Sequence, residues 1–372
     1  MTDKIRFIEL NYYYHGEFNS PAEVISKHAP SNLFTAELKD KADILLIKHL
    51  NYKGELTENG IDYGFFKSKN DFFHIPFSTH RFIKKQNPGI VLVQGLIFPL
   101  QVIALRMKLG KGPKIVLQHQ GEVPFRRKKI FQKIADRYVD AYIFTSAGNA
   151  TEWIEAGVIK DKNKCYESIP SSTIFTKQEK ERSKEKTGMN ASVNFLWVGR
   201  LNENKDPFTV LKGFETYFLN NPFHKLYMIY GEDDLLEPVK KIVSENSLLN
   251  KCVVLVGKVP HPELENWYSA ADYFVSGSHR EGGSYALTEA MSCGCIPIVT
   301  EIPSAMKAID SGKAGHHYQT GDAAALYQLL SGLDHQKKEE WSIKVQDHFK
   351  QYFSAAAIAD KMFELYQDLK TK

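Results

Sequence analysis

The sequence predicts an α/β protein of two domains, each built on a parallel sheet. Three observations carry this. Short apolar runs at 42–47, 72–76, 90–93, 114–117 and 141–144 are continuous rather than alternating, as strands buried on both faces require. Helix-like or turn-rich segments separate them. The pattern stops at a run of charge from Lys177 to Lys186 and restarts at 193–198. The length, 372 residues, allows each half its own core.

Taken in order, 5–10 reads as a first strand, followed by an aromatic loop at 11–16. Ser20, Pro21 and Glu23 open a helix as N-cap, first helical residue and capping-box partner. The uncharged stretch 88–105 contains Gly95 and Pro99, so it reads as strand, loop and buried helix rather than a bilayer span of ~20 residues. Ligands of parallel sheets bind beyond the carboxyl ends of the strands. Gln94-Gly95, the turn from Gln118 to Glu122, and Thr145-Ser146 fall at such ends. Residues 1–176 are expected to form the first domain, 177–190 the linker and 191–349 the second domain, with a helix at about 350–372 after it.

In the second half, a strand runs into Gly199, and Arg200 and Lys205 stand in the turn before the next helix. That pair suits a diphosphate, Arg200 as a fork and Lys205 as a point charge. A strand ends at Gly231-Glu232 and another at Gly257, before Lys258 and Val259; a helix follows at 262–271. The stretch 272–300 then reads as strand, glycine turn, helix (285–292, with Gly294 as its left-handed cap) and strand (296–300). A helix starting just after Gly282, Gly283 and Ser284 aims its unpaired N–H groups and positive dipole end at the turn, which makes an anion site. Two acids flank it. Glu281 and Glu289 lie eight residues apart, up to about 12 Å along a helix. Glycosidase carboxylates stand about 5 to 9.5 Å apart, so these acids are poorly placed as a hydrolytic pair. The spacing fits a long ligand with hydroxyls at both ends and phosphates between, a sugar nucleotide.

Glu281-x7-Glu289, with Ala290-Met291-Ser292-Cys293-Gly294 and Pro297, resembles the signature of retaining glycosyltransferases of family 4, of the bacterial glycan-biosynthesis type. Gly199-Arg200-Leu201-x3-Lys205 is similar to that family's phosphate clamp. The resemblance implies the GT-B architecture: two Rossmann-like domains facing across a cleft, with a C-terminal helix crossing back to the first. It also implies a hexosyltransferase-like enzyme that moves sugar from a UDP- or GDP-sugar to an acceptor hydroxyl with retention, by front-face attack. The catalytic set would be Glu281, His119, Arg200 and Lys205. His119 resembles the family's cleft histidine near the sugar. Glu281 would meet the sugar and Glu289 the ribose. Gly282, Gly283, Ser284 and Tyr285 would hold the diphosphate, and Lys258, Val259 and Gly231 would line the rest of the donor site. One departure is visible: Glu281-Gly282-Gly283-Ser284-Tyr285 stands where the family has Glu-Gly-aromatic-Gly.

Composition sets the outer bounds. A net charge of +4 does not call for nucleic acid. The four cysteines, Cys165, Cys252, Cys293 and Cys295, read as reduced, buried thiols. No Asp-x-Asp stands at a strand end and Asp233-Asp234 lacks supporting ligands, so no metal or other cofactor is expected. No Gly-x-Gly-x-x-Gly follows a strand, which disfavours a nicotinamide dehydrogenase. The opening residues Met1-Thr-Asp-Lys-Ile-Arg lack an apolar signal core and point to a cytoplasmic protein. Arg126, Arg127, Lys128 and Lys129 begin a basic segment with apolar residues at helical spacing, suited to the inner face of an anionic membrane or to a lipid-linked or glycan acceptor, as in polysaccharide, lipopolysaccharide or glycolipid assembly. A nucleotide-sugar epimerase of similar build and a non-catalytic nucleotide-sugar-binding module remain as alternatives.

Overall fold

The apolar runs of the first half pair into one sheet of the computed structural model, which describes residues 4–28, 33–69, 71–168, 172–231 and 234–371. Its strands are β1 (Ile5–His15), β2 (Ala42–Leu50), β3 (Gly54–Glu58), β4 (Ile61–Phe66), β5 (Ile90–Gln94), β6 (Lys114–Gln118), β7 (Ala141–Phe144) and β8 (Cys165–Glu167). They lie in the order β3-β4-β2-β1-β5-β6-β7-β8, all parallel except the β3–β4 hairpin. The chain divides into two units: Met1–Ser172 with Ser354–Lys372, and Thr173–Phe353. The helix Ala355–Thr371 belongs to the first, where Ile358, Met362, Leu365 and Leu369 join the core beside Phe34 and Leu38.

Local chemistry explains the agreements. The helix Pro21–His28 opens on its serine cap, the Glu23 amide donating to Ser20 Oγ (3.5 Å), while the Glu23 carboxylate reaches one residue beyond the cap and accepts from the Asn19 amide (3.3 Å). The uncharged stretch becomes β5 and the helix Pro99–Leu109, and no helix among the described residues is long and apolar enough to cross a membrane.

Three expectations are corrected. The aromatic loop at 11–16 is mostly strand: β1 runs to His15, its register against β2 shifting between Leu10 and Tyr14. Tyr12 there is buried, its hydroxyl 2.8 Å from His80 Nε2. Residues 72–76 form no strand, because the Gln101 amide donates to the carbonyls of Phe72 (3.1 Å) and His74 (3.0 Å), which a ladder would otherwise use. The charged run is no linker. Lys180–Thr187 is a helix of the second unit, capped by the Glu179 carboxylate and ended by Gly188 at φ 72°, and it packs on the helix Leu264–Ala270.

The second sheet comprises β9 (Val193–Val198), β10 (His224–Ile229), β11 (Val253–Gly257), β12 (Tyr273–Val275), β13 (Ile296–Thr300) and β14 (His316–Tyr318). The order is β11-β10-β9-β12-β13-β14, every neighbouring pair parallel. Numbered within the unit this is 3-2-1-4-5-6, the doubly wound order in which the chain reverses direction between β9 and β12. Asp272, at the start of β12, fastens the unit at the opposite end. Its carboxylate accepts from Lys180 Nζ (2.7 Å) and the Asn194 amide (2.8 Å) and pairs with Lys338 Nζ (3.1 Å).

Burial alone would raise the Asp272 carboxyl; the two lysines and the Asn194 amide outweigh it and hold it below its ordinary value. A depressed carboxylate contributes stability that is present above about pH 4 and lost as pH falls through the folded-state value. Asp272→Asn is expected to cost about 1–3 kcal/mol near neutral pH and to flatten the loss of stability below about pH 4. Urea unfolding across an acidic pH series measures both.

Candidate functional site

The loops after β9 and β12 meet at the point where the sheet reverses, the position at which doubly wound sheets bind ligands. The β9 loop carries Gly199 and Arg200, then a single 3₁₀ turn, Glu203–Lys205, in which Asn202 Oδ1 accepts from the Lys205 amide (3.0 Å). Asp206 follows in the left-handed region at φ 39°, its carboxylate capping the helix Pro207–Phe218 through the Thr209 amide (3.1 Å). The β12 loop runs Ser276, Gly277, Ser278, His279, Arg280 and Glu281 into the glycine pair.

Gly277 lets the two loops touch. A Cβ there would lie 2.7 Å from the Asp206 carbonyl oxygen and 3.0 Å from that of Lys205, so a side chain would force the backbones apart. Side chains then tie the loops across the contact. Lys205 Nζ donates to Glu281 Oε1, which also accepts from Ser278 Oγ (2.8 Å). His279 Nε2 stands 3.0 Å from Asp206 Oδ2, the His279 amide donates to the Asn204 carbonyl (2.8 Å), and Asn204 Nδ2 donates to the Arg280 carbonyl (3.0 Å). From the other side, Thr300 Oγ1 donates to the Ser278 carbonyl (2.5 Å) and the Tyr318 hydroxyl to that of Ser276 (2.9 Å). Arg200 is exposed at the rim of the same bend.

The glycine turn feeds the helix Tyr285–Ser292. Ser284 is its N-cap, Oγ accepting from the Leu287 amide (3.3 Å), so this hydroxyl is used in folding the turn. Neither Gly282 nor Gly283 has a positive φ; glycine supplies backbone without a side chain there. Tyr285, the first helical residue, is exposed. Gly294 ends the helix at φ 74°.

Glu289 has a separate partner set. It is 4 % exposed, and its two oxygens meet His261 Nε2 (2.7 Å) and the Tyr268 hydroxyl (3.1 Å). The His261 ring packs on Phe175 at a tilt of 30°, centroids 4.9 Å apart. Sequence reasoning missed both partners of Glu289. The signal for His261 was its place just beyond Lys258 and Val259, which lie exposed and half-buried after Gly257 turns the chain at φ 84°. Gly231 follows β10 with open space where a Cβ would stand; Glu232 and Asp233 lie outside the described residues.

His119 belongs to the first unit. Its ring is 1 % exposed, packed near Phe144 and Trp153, with Nε2 3.0 Å from the Glu122 carbonyl. Glu122 knots the surrounding strand ends, accepting from the amides of Leu96 (3.1 Å) and Gln120 (2.7 Å) and the Tyr13 hydroxyl (3.3 Å). This places His119 in a packed polar corner. No group of three or more His, Cys, Asp or Glu that could hold a metal ion occurs among the described residues. All four cysteines are free, and burial pushes Cys165 up to about 11 and Cys252 and Cys293 up to about 12.

The hydrogen bond to Glu289 raises His261 above its ordinary value, against a smaller opposing effect of burial. The charged pair is therefore complete below about pH 6.5 and is lost as pH rises through the raised value. Histidine NMR titration is expected to show this shift and its disappearance in Glu289→Gln. Gly277→Ala is expected to cost about 1–3 kcal/mol by overpacking the loop contact, read by urea unfolding.

Residues 178–347 match the model of the family "Glycosyl transferases group 1". The amylovoran biosynthesis glycosyltransferase AmsK of Erwinia amylovora is 25% identical over 52% of this chain and 50% of its own length. A D-inositol 3-phosphate glycosyltransferase of Thermobispora bispora is 24% identical over 68% of this chain and 60% of its own length. The chain thus spans one half to three fifths of these relatives. Among solved structures, Anabaena Alr3699/HepE in complex with UDP superimposes with a TM-score of 0.70 at 15% identity, covering 98% of this chain and 100% of that one. The fold is GT-B, and its second unit carries the group 1 glycosyl transferase match.

Proposed function

We propose that the protein is a retaining glycosyltransferase that moves a sugar from a nucleoside diphosphate sugar to an acceptor hydroxyl. The observation that carries this is the joining of the cationic bend to the acid loop, Lys205 to Glu281, at the reversal point of the second sheet. The family match over the same unit and the UDP bound by the Anabaena relative support it.

In this reading, the Lys205 ammonium and the exposed Arg200 guanidinium take the diphosphate, together with the amides of the glycine turn. Glu281 orients the sugar, and the loop carrying Lys258 and Val259 receives the base. Glu289 is held by His261 and Tyr268 for the ribose. The bond between the anomeric carbon and the diphosphate oxygen breaks, and the charge left on that oxygen is what the two cations stabilise. The acceptor oxygen bonds to the same face of the anomeric carbon while its proton passes to the departing diphosphate. We propose that His119 contacts the sugar and that no step needs a divalent metal. We propose a UDP- or GDP-sugar as donor and a lipid-linked or glycan acceptor, as in family 4 enzymes of bacterial polysaccharide, lipopolysaccharide or glycolipid assembly.

Arg200→Ala and Glu281→Ala are each expected to lower transfer by about 10²–10³-fold, the effect of removing one preorganised stabilising group, with thermal unfolding close to wild type. Activity is expected to persist in EDTA. Full transfer by both variants would defeat the assignment. Donor turnover without any acceptor would favour an epimerase, and donor binding by calorimetry without turnover would favour a binding module.

A further inference from the structure

The two most exposed aromatic residues of the first unit stand four residues apart, and one of them lies beside the basic segment that begins at Arg126. Phe73 and Phe77 are 62% and 67% exposed, one in the turn after residue 71 and one opening the helix Phe77–Lys85. The basic segment lies against that turn. Lys128 Nζ sits 4.0 Å over the centroid of the Phe72 ring and 5.0 Å over that of Phe73. Beneath, Phe72 packs on Phe125 and Phe131, with centroids 5.8 and 5.7 Å apart, fixing turn and segment to each other. The short helix Lys129–Ala135 adds Ile130, 58% exposed, and Arg126 and Arg127 stand exposed just before it.

A solvated basic face has no use for bare phenylalanine rings, and a protein-binding patch of this kind would not need three adjacent cations. Rings and aliphatic side chains that enter a headgroup layer, beside cations that meet its phosphates, suit a bilayer interface. We propose that this face, Phe73, Phe77 and Ile130 with Arg126, Arg127 and Lys128, seats the first unit on a membrane surface rich in anionic lipid. The face rests on the transferase reading only for its use, which is to bring the enzyme to a lipid-linked acceptor. It is testable without substrate.

The test is co-sedimentation of the full chain with vesicles of phosphatidylcholine alone and of phosphatidylcholine mixed with phosphatidylglycerol, at low and high salt. Wild type is expected to bind the mixed vesicles and to leave the neutral ones largely in the supernatant. Arg126→Gln and Arg127→Gln should each weaken partitioning about fivefold. Phe73→Ser combined with Phe77→Ser should remove the binding that survives high salt. Thermal unfolding and calorimetric donor binding should match wild type in every variant. Failure of wild type to bind mixed vesicles, equal binding to both kinds, or wild-type binding by the variants would overturn the proposal. Failure of wild type to bind any sugar nucleotide would sink the transferase reading instead, leaving the vesicle result to stand or fall separately.

Discussion

The contact on which the candidate site depends is a backbone approach. Gly277 lies against the carbonyls of Lys205 and Asp206, closer than any side chain would permit. The sheet order brings the carboxyl ends of β9 and β12 side by side, and the missing Cβ lets their loops close to hydrogen-bonding range. Once they touch, Lys205 reaches Glu281, Asp206 reaches His279 and Asn204 holds the backbone of His279 and Arg280. A cation and an acid from distant parts of the sequence become neighbours because one residue has no side chain.

The rest of the second unit holds that contact still. Thr300 and Tyr318, from the two strands beyond β12, fix the carbonyls of Ser278 and Ser276. Asp272 does the equivalent work at the other end of β12, drawing Lys180 and Lys338 onto the sheet. Glu289 is kept apart from this network by its own partners, so the two acids of the motif sit in distinct electrostatic surroundings: one shares a lysine, the other a histidine and a buried tyrosine.

Much of this was legible in the sequence because it is local. The helix Tyr285–Ser292 and the strand Ile296–Thr300 fall where propensity, a serine N-cap and the Gly294 stop place them. The hairpin of β3 and β4 was missed although its signal was present: Asn59 and Gly60, both at positive φ, form the two-residue turn that joins them. Residues 72–76 misled because a remote side chain, Gln101, took the backbone groups a strand would need. The charged run misled because one face of Lys180–Thr187 packs on Leu264–Ala270 and its Lys180 finds a buried acid, neither visible in composition. His261 and Tyr268 became partners of Glu289 only through tertiary packing.

The most direct test is a crystal structure with a nucleoside diphosphate bound to the second unit. The account predicts the diphosphate against Lys205 and the amides after Glu281, with the ribose toward Glu289 and the base by Lys258 and Val259. A diphosphate bound away from both the cationic bend and the glycine turn would contradict it.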